Sequence, residues 1–115
     1  MYRDQTMTAP EAPTPAGPVP TVFEAIVKQL CLNASWNRAP VVLAPHILYT
    51  RHGELFVDAV TVARDNMLAR EPKLGTFKLA GLGDLKLSNR SFERSDLFEP
   101  EAEKYAGVTL MNIEG

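Results

Sequence analysis

Apolar positions along the chain first recur at helical spacing and then switch to alternation. Phe23, Ile26, Val27 and Leu30 share one helical face. Just ahead of them "TVFE" has the form of a capping box, in which the Thr21 hydroxyl accepts from the Glu24 amide and Glu24 reaches back to Thr21. The pattern predicts a short helix from Thr21 to Lys28 or Leu30. "LCLNASW" then alternates Leu30, Leu32, Ala34 and Trp36 with Cys31, Asn33 and Ser35, which suits a strand leaving the helix; continued helix to Ala34 is the alternative. "NRAP" turns the chain.

From Val41 the signals are those of a strand meander. "VVLA" reads as a short strand ended by Pro45, which cannot donate to a ladder. "ILYT" and "LFVDAVTVAR" flank "RHGE", where Gly53 supplies the positive φ that a tight hairpin requires. "DNMLAREPK" reads as a polar loop, "LGTFKL" as a strand, "AGLGD" as a glycine corner and "LKLSN" as another strand. Beyond Phe92 a short helix is expected at "EPEAEKYAG", stopped by Gly107, and "VTLMNI" can add a terminal strand. The expected class is α+β: a short N-terminal helix followed by a strongly bent antiparallel sheet or partly open small β-barrel.

Register can be read inside the hairpin. With His52-Gly53 as the loop, Arg51 faces Glu54, Thr50 faces Leu55, Tyr49 faces Phe56, Leu48 faces Val57, Ile47 faces Asp58 and His46 faces Ala59. One face then carries His46, Leu48, Thr50, Leu55, Val57 and Ala59, the composition of a core. The other carries Ile47, Tyr49, Arg51, Glu54, Phe56 and Asp58, the composition of an accessible binding surface. A slip by one residue would drive the charges into the core, so the pattern selects this register. Asp58 lies between Val57 and Ala59; if buried it needs a partner, for which Arg51, Lys78 and Arg64 are candidates. A structural carboxylate and a ligand contact are equally compatible with its position.

Composition adds boundaries. Five of the nine prolines fall between Pro10 and Pro20 in a chain of 115 residues, so residues 1–20 read as a disordered Pro-rich tether, residues 21–92 as the barrel domain, and 93–115 as an acidic extension. Residues 21–90 hold nine Lys or Arg against six Asp or Glu, and residues 91–115 two against six. That is too weakly basic for a dedicated duplex-DNA binder and leaves room for a small anionic ligand. The single cysteine, Cys31, allows no internal disulfide and fits a reducing, cytoplasmic setting. No apolar run is long enough for a membrane span.

The chemistry that can be assembled is thin. Cys31 and His46 could form a nucleophile and base, but a lone cysteine in an apolar run is ordinarily a small buried hydrophobe. The Cys and His spacings fit no zinc pattern, so no metal and no cofactor are expected. "GTFKLAGLGD" lacks the spacings of a phosphate loop, and Gly81 and Gly83 suit a tight corner. His52 reads as a solvated loop residue, His46 as a satisfied imidazole before a ligand contact, and Trp36 as a core anchor.

Taken in order, the entry strand with "WN", the "APHILY" strand, "ELFVDAV" and "GTFKLAGLGDLKL" resemble a divergent, stand-alone WYL domain, the small Sm-like or SH3-like β-barrel attached to many bacterial transcription regulators. The resemblance covers Val22 to Phe92. Leu55, Phe56 and Val57 fall on the Trp-Tyr-Leu signature, and Phe77 to Leu82 on the family's Phe-Arg-Leu-Asp-Arg-Ile run. The signature tyrosine is Phe56 here and the second arginine position is Gly81, while Lys78 keeps one positive charge. The resemblance implies a non-enzymatic, ligand-sensing regulatory module that binds an anionic small molecule, nucleotide or oligonucleotide, or a partner regulator protein. The site residues expected are Tyr49, Arg51, Phe56, Asp58, Lys78 and His46: the cations meet negative charge, the aromatics stack, and Asp58 orients a cation or accepts from a donor. The alternatives are a single-stranded nucleic-acid binder and a structural module that dimerises through a strand edge.

Overall fold

A computed structural model describes residues 17–114; most of the expected tether, residues 1–16, lies outside them. Helix α1 spans Val19–Lys28, with Pro18 at its N-cap and no side-chain cap bond. It therefore begins ahead of Thr21, because Pro20 has the helical φ built in and no N–H to satisfy in the first turn. The expected capping box does not form, and Glu24 instead pairs with Lys28 at 2.7 Å. Gln29 ends the helix in the left-handed region, its amide reaching back to the carbonyls of Ala25 and Ile26.

Seven strands follow: β1 (Leu30–Trp36), β2 (Ala39–Arg51), β3 (Glu54–Arg64), β4 (Met67–Leu68), β5 (Leu74–Lys78), β6 (Gly83–Ser91) and β7 (Thr109–Asn112). They form one antiparallel sheet in the order β4-β3-β2-β1-β6, with β5 also paired to β3 and β7 also paired to β2. Cys31 is thus on a strand. The hairpins β1–β2, β2–β3 and β3–β4 each close through two residues, Asn37-Arg38, His52-Gly53 and Asp65-Asn66. All six have positive φ, from 52° at Asn37 to 78° at Gly53. These turns match the right-handed twist of the strands they join.

Strand β2 does not stop at Pro45 but runs straight through it. Its missing N–H falls at a changeover: β1 pairs with β2 only as far as Leu43, and β7 takes over the same side from Ile47. On the other side Pro45 pairs with Ala59 and Ile47 with Asp58, so His46 is a bulge without a β3 partner rather than the residue opposite Ala59. The other five expected pairs, from Ile47–Asp58 to Arg51–Glu54, are present. Bulges bend strands, and the sheet curls into a half-barrel, giving a small-barrel-like α+β fold. Helix α1 packs against β1, β2, β6 and β7. Val22, Ile26, Leu32, Leu43, Leu48, Val57 and Phe77 are core members.

The acidic extension is built into the same fold. After β6 the Phe92 amide donates to the Gln29 carbonyl at 3.0 Å. The expected helix at "EPEAEKYAG" is only a 3-10 turn, Glu103–Tyr105, because Ala102 is extended at φ −59°, ψ 145°. Phe98, Tyr105 and Ile113 enter the core, and the expected terminal strand forms as β7.

Candidate functional site

The mixed face of the β2–β3 hairpin is divided into an open and a closed half. Strand β5 extends the face, setting Lys78 beside Phe56 and Thr76 beside Asp58. In the open half Arg51 and Lys78 are exposed, and Phe56 is half-buried. The Phe56 ring stacks on Tyr49 at 6.1 Å between centroids, and Lys78 Nζ lies 2.6 Å from the Glu54 carboxylate. Around the hairpin tip is a cleft of about 340 Å³ lined by Pro18, Val19, Glu54, Leu55, Lys78 and Leu79.

The closed half departs from the expectation of an accessible surface. Tyr49 is 0 % exposed and Asp58 2 %, because the segment after β6 crosses over them. Three side chains donate to the Asp58 carboxylate. The Tyr49 hydroxyl donates to Oδ1 at 2.7 Å, the Tyr105 hydroxyl to Oδ2 at 2.5 Å, and Lys104 Nζ to Oδ2 at 2.9 Å. Lys104 also donates to Thr76 Oγ1 at 3.2 Å. Its ammonium lies 5.6 Å from the Tyr49 ring centroid and 5.3 Å from that of Tyr105.

The electrostatics follow from this packing. Burial alone would raise the Asp58 carboxyl, but hydrogen bonds from Tyr105, Lys104 and Tyr49 outweigh it and hold Asp58 below its ordinary range. The same carboxylate outweighs the burial that would lower Lys104 and keeps that ammonium protonated. Burial, then Asp58, pushes both phenols upward, Tyr105 most strongly. The partners expected for Asp58, namely Arg51, Lys78 and Arg64, do not supply its ion pair; Lys104 does.

His46 is fully buried and both ring nitrogens are engaged. Nδ1–H donates to the Ala44 carbonyl at 2.8 Å, and Nε2 accepts from the Ser95 amide at 2.9 Å. Because an amide can only donate, Nε2 is unprotonated and the imidazole is the neutral Nδ1–H tautomer. The ring packs between Phe92 and Phe98, at 5.3 and 5.4 Å between centroids. Burial is the first cause that lowers its pKa, and the charge of Arg94 acts in the same direction.

Of the six residues singled out from sequence, the structure brings Tyr49, Phe56, Asp58 and Lys78 onto one face with Arg51 at its tip. It places His46 apart, under the segment after β6. Sequence reasoning missed Thr76, Ser95, Lys104 and Tyr105. The one available signal was the lone carboxylate of Asp58 in an apolar strand, which demands a partner without saying where it lies. Gly81 also gains a reason: a Cβ there would sit 2.8 Å from Trp36 Cζ3, so no longer side chain fits that position unless Trp36 moves. The Cys31 thiol is buried and pushed up by that burial, against the opposing charge of Arg90. Among the described residues no three His, Cys, Asp or Glu side chains cluster to hold a metal ion, and no helix is long and apolar enough to cross a membrane.

No family model, no curated protein and no solved structure matches the chain.

Proposed function

We propose that the chain is a WYL-like, non-catalytic sensing module of the cytoplasm that takes an anionic ligand, a nucleotide or short oligonucleotide, at the open half of the hairpin face. The observation that carries this reading is the pair of exposed cations, Arg51 and Lys78, on the face of the half-buried Phe56 ring, of which Lys78 also lines the 340 Å³ cleft at the hairpin tip. A guanidinium and an ammonium meet phosphate oxygens while a ring stacks on a base. The Lys78–Glu54 pair is exposed at both ends, so it holds Lys78 only weakly and a phosphate can displace the carboxylate. Tyr49 supports the Phe56 ring from below, and Asp58 fixes Tyr49.

Catalysis is disfavoured by the state of its candidate groups. A nucleophilic cysteine needs an accessible thiolate, and Cys31 is buried with its thiol pushed up. A general base needs a free nitrogen, and both nitrogens of His46 are committed to the backbone.

The test begins with the ratio of absorbance at 260 and 280 nm of freshly purified protein. Titration with nucleoside phosphates and a short oligothymidylate follows, for the wild type and for Arg51→Glu and Lys78→Glu. The expected result is binding that weakens with salt and is lost in both variants while circular dichroism is unchanged. Failure of every anion to bind or to raise the melting temperature would overturn the proposal.

A further inference from the structure

The chain after β6 is pinned at two ends. At the first, the Gln29 side chain donates to the Phe92 carbonyl at 3.1 Å, beside the Phe92 amide bond to Gln29. At the second, Lys104 and Tyr105 are held on Asp58. Between these ends lies an acidic stretch whose contacts with the sheet centre on one residue. The Ser95 amide donates to His46 Nε2, and Phe98, only 2 % exposed, packs edge-on against the imidazole. Around them Ser95 accepts from Leu97 and Phe98 through its own hydroxyl and carbonyl, so the turn is organised as one unit.

We infer that residues 93–98 form an acid-released strap, clasped at neutral pH by neutral His46 and freed when that imidazole takes a second proton. Protonated Nε2 cannot accept from the Ser95 amide; it presents a second N–H to a donor and puts a charge between two phenylalanine rings. Release leaves both pinned ends in place, lifts Phe98 from its seat and opens an aromatic-lined pocket walled by His46, Phe92 and Tyr105. The inference does not rest on the anionic-ligand reading, because it concerns the other end of the face.

The charged and titratable groups on the elements around His46 are Glu93, Arg94 and Asp96 on the strap, Asp58 on β3, Cys31 on β1, Arg90 on β6, Tyr105 beyond the strap and Glu114 after β7. Of these, Arg94 acts on His46 through its charge, disfavouring the cation as burial does. Asp58 is held below its ordinary range and stays ionised through mild acid. The second pin therefore survives where the clasp fails. The docked strap keeps His46 neutral, whereas the released strap returns it toward an ordinary imidazole value near 6.5. The released state binds more protons, so docking is fully present above about pH 6.5 and is lost as pH falls below it. At pH 5 the limit is a roughly 30-fold shift toward release, from 1.5 pH units below that value.

Hydrogen exchange of the full chain, read by NMR as protection factors so that the intrinsic pH dependence is removed, tests this. Between pH 7 and pH 5 the Ser95 and Phe98 amides are expected to lose about tenfold or more of their protection, while Leu48, Val57 and Tyr105 amides keep theirs. Equal loss at all these positions, or none at Ser95 and Phe98, would overturn the inference. His46→Gln retains a neutral acceptor and is expected to make strap protection insensitive to pH in this range; a strap that still opens with acid in that variant assigns the effect elsewhere. Should that variant fail to fold, the wild-type profile still decides.

Discussion

Replacing Asp58 by Asn keeps the shape of the side chain and removes the charge that three donors share. The amide oxygen of Asn can still accept from one phenol, but its NH₂ then faces Lys104 and the other phenol, which have only donors to offer it unless a phenol turns. A hydrogen bond to a charged group contributes about 1.5–3 kcal/mol, and one such bond is lost outright while another is reduced to a neutral one. The Lys104 contribution is small: its side chain is 42 % exposed, so it turns to water and the pair is worth no more than about 1 kcal/mol. Together the change costs about 3 kcal/mol, which for a domain of this size lowers the melting temperature by roughly 12–24 °C. The folded carboxyl titrates below its unfolded counterpart, so its stabilisation is complete above the unfolded value near 3.9 and is lost as pH falls through the folded one. Thermal melts of both proteins at pH 7 and pH 3 measure this directly. The expected result is a large gap at pH 7 that narrows at pH 3. A gap below about 4 °C at pH 7, or one that does not change with pH, would refute the account of Asp58 as the charged anchor of the C-terminal segment.

Tyr105→Phe removes one of the two phenol donors and should cost about 1.5–3 kcal/mol in a denaturant titration, with a double-mutant cycle against Asp58→Asn showing strong coupling. Arg38 occupies the second loop position of the β1–β2 turn at φ 66°, where glycine is at ease and arginine is not, so Arg38→Gly is expected to stabilise by about 0.5–1 kcal/mol. Gly53→Ala at φ 78° should do the reverse by about 1 kcal/mol although no atom lies within 4 Å of the added Cβ, because the strain is in the backbone. Gly81→Ala drives a methyl into Trp36 and is expected to cost about 1–3 kcal/mol and to shift tryptophan fluorescence, since that ring also packs on Phe77 at 5.0 Å. Cys31 should resist iodoacetamide at pH 8 in the native protein and react on addition of urea.

The hairpin was legible because its signal is local. Alternation over Ile47–Arg51 and Glu54–Asp58, together with a glycine at the loop, leaves a single register that keeps Arg51 and Glu54 off the Leu48–Val57 face, and that register is present. The same local logic placed β1, β5, β6 and β7. It failed at His46, where a bulge shifts the ladder by one residue and nothing in "APHIL" marks the shift except a proline, whose meaning depends on which strand lies alongside. It also failed at burial. Tyr49 and Asp58 belong to a polar-looking face, and whether such a face meets water depends on what crosses it. The crossing segment is acidic, proline-broken and without periodicity, and its two decisive residues come 46 and 47 positions after Asp58.

That distance bears on function. A carboxylate that would read as a ligand contact on an open sheet is, in this chain, already occupied by the chain's own ammonium and phenol, so the face that sequence presents as one surface is two. The half near the hairpin tip keeps its cations exposed on either side of a ring that Tyr49 props from beneath. The half near Asp58 is committed to holding the C-terminal segment in place. The halves meet at Tyr49, whose ring stacks on Phe56 and whose hydroxyl donates to Asp58. Loosening the Asp58 anchor should therefore unsettle the Phe56 ring, and Tyr49→Phe, which cuts the hydroxyl while keeping the stack, separates the two effects. If anion binding at Arg51 and Lys78 weakens in Asp58→Asn but survives in Tyr49→Phe, the coupling runs through the C-terminal segment. If both variants weaken it equally, the Tyr49 hydroxyl is the link.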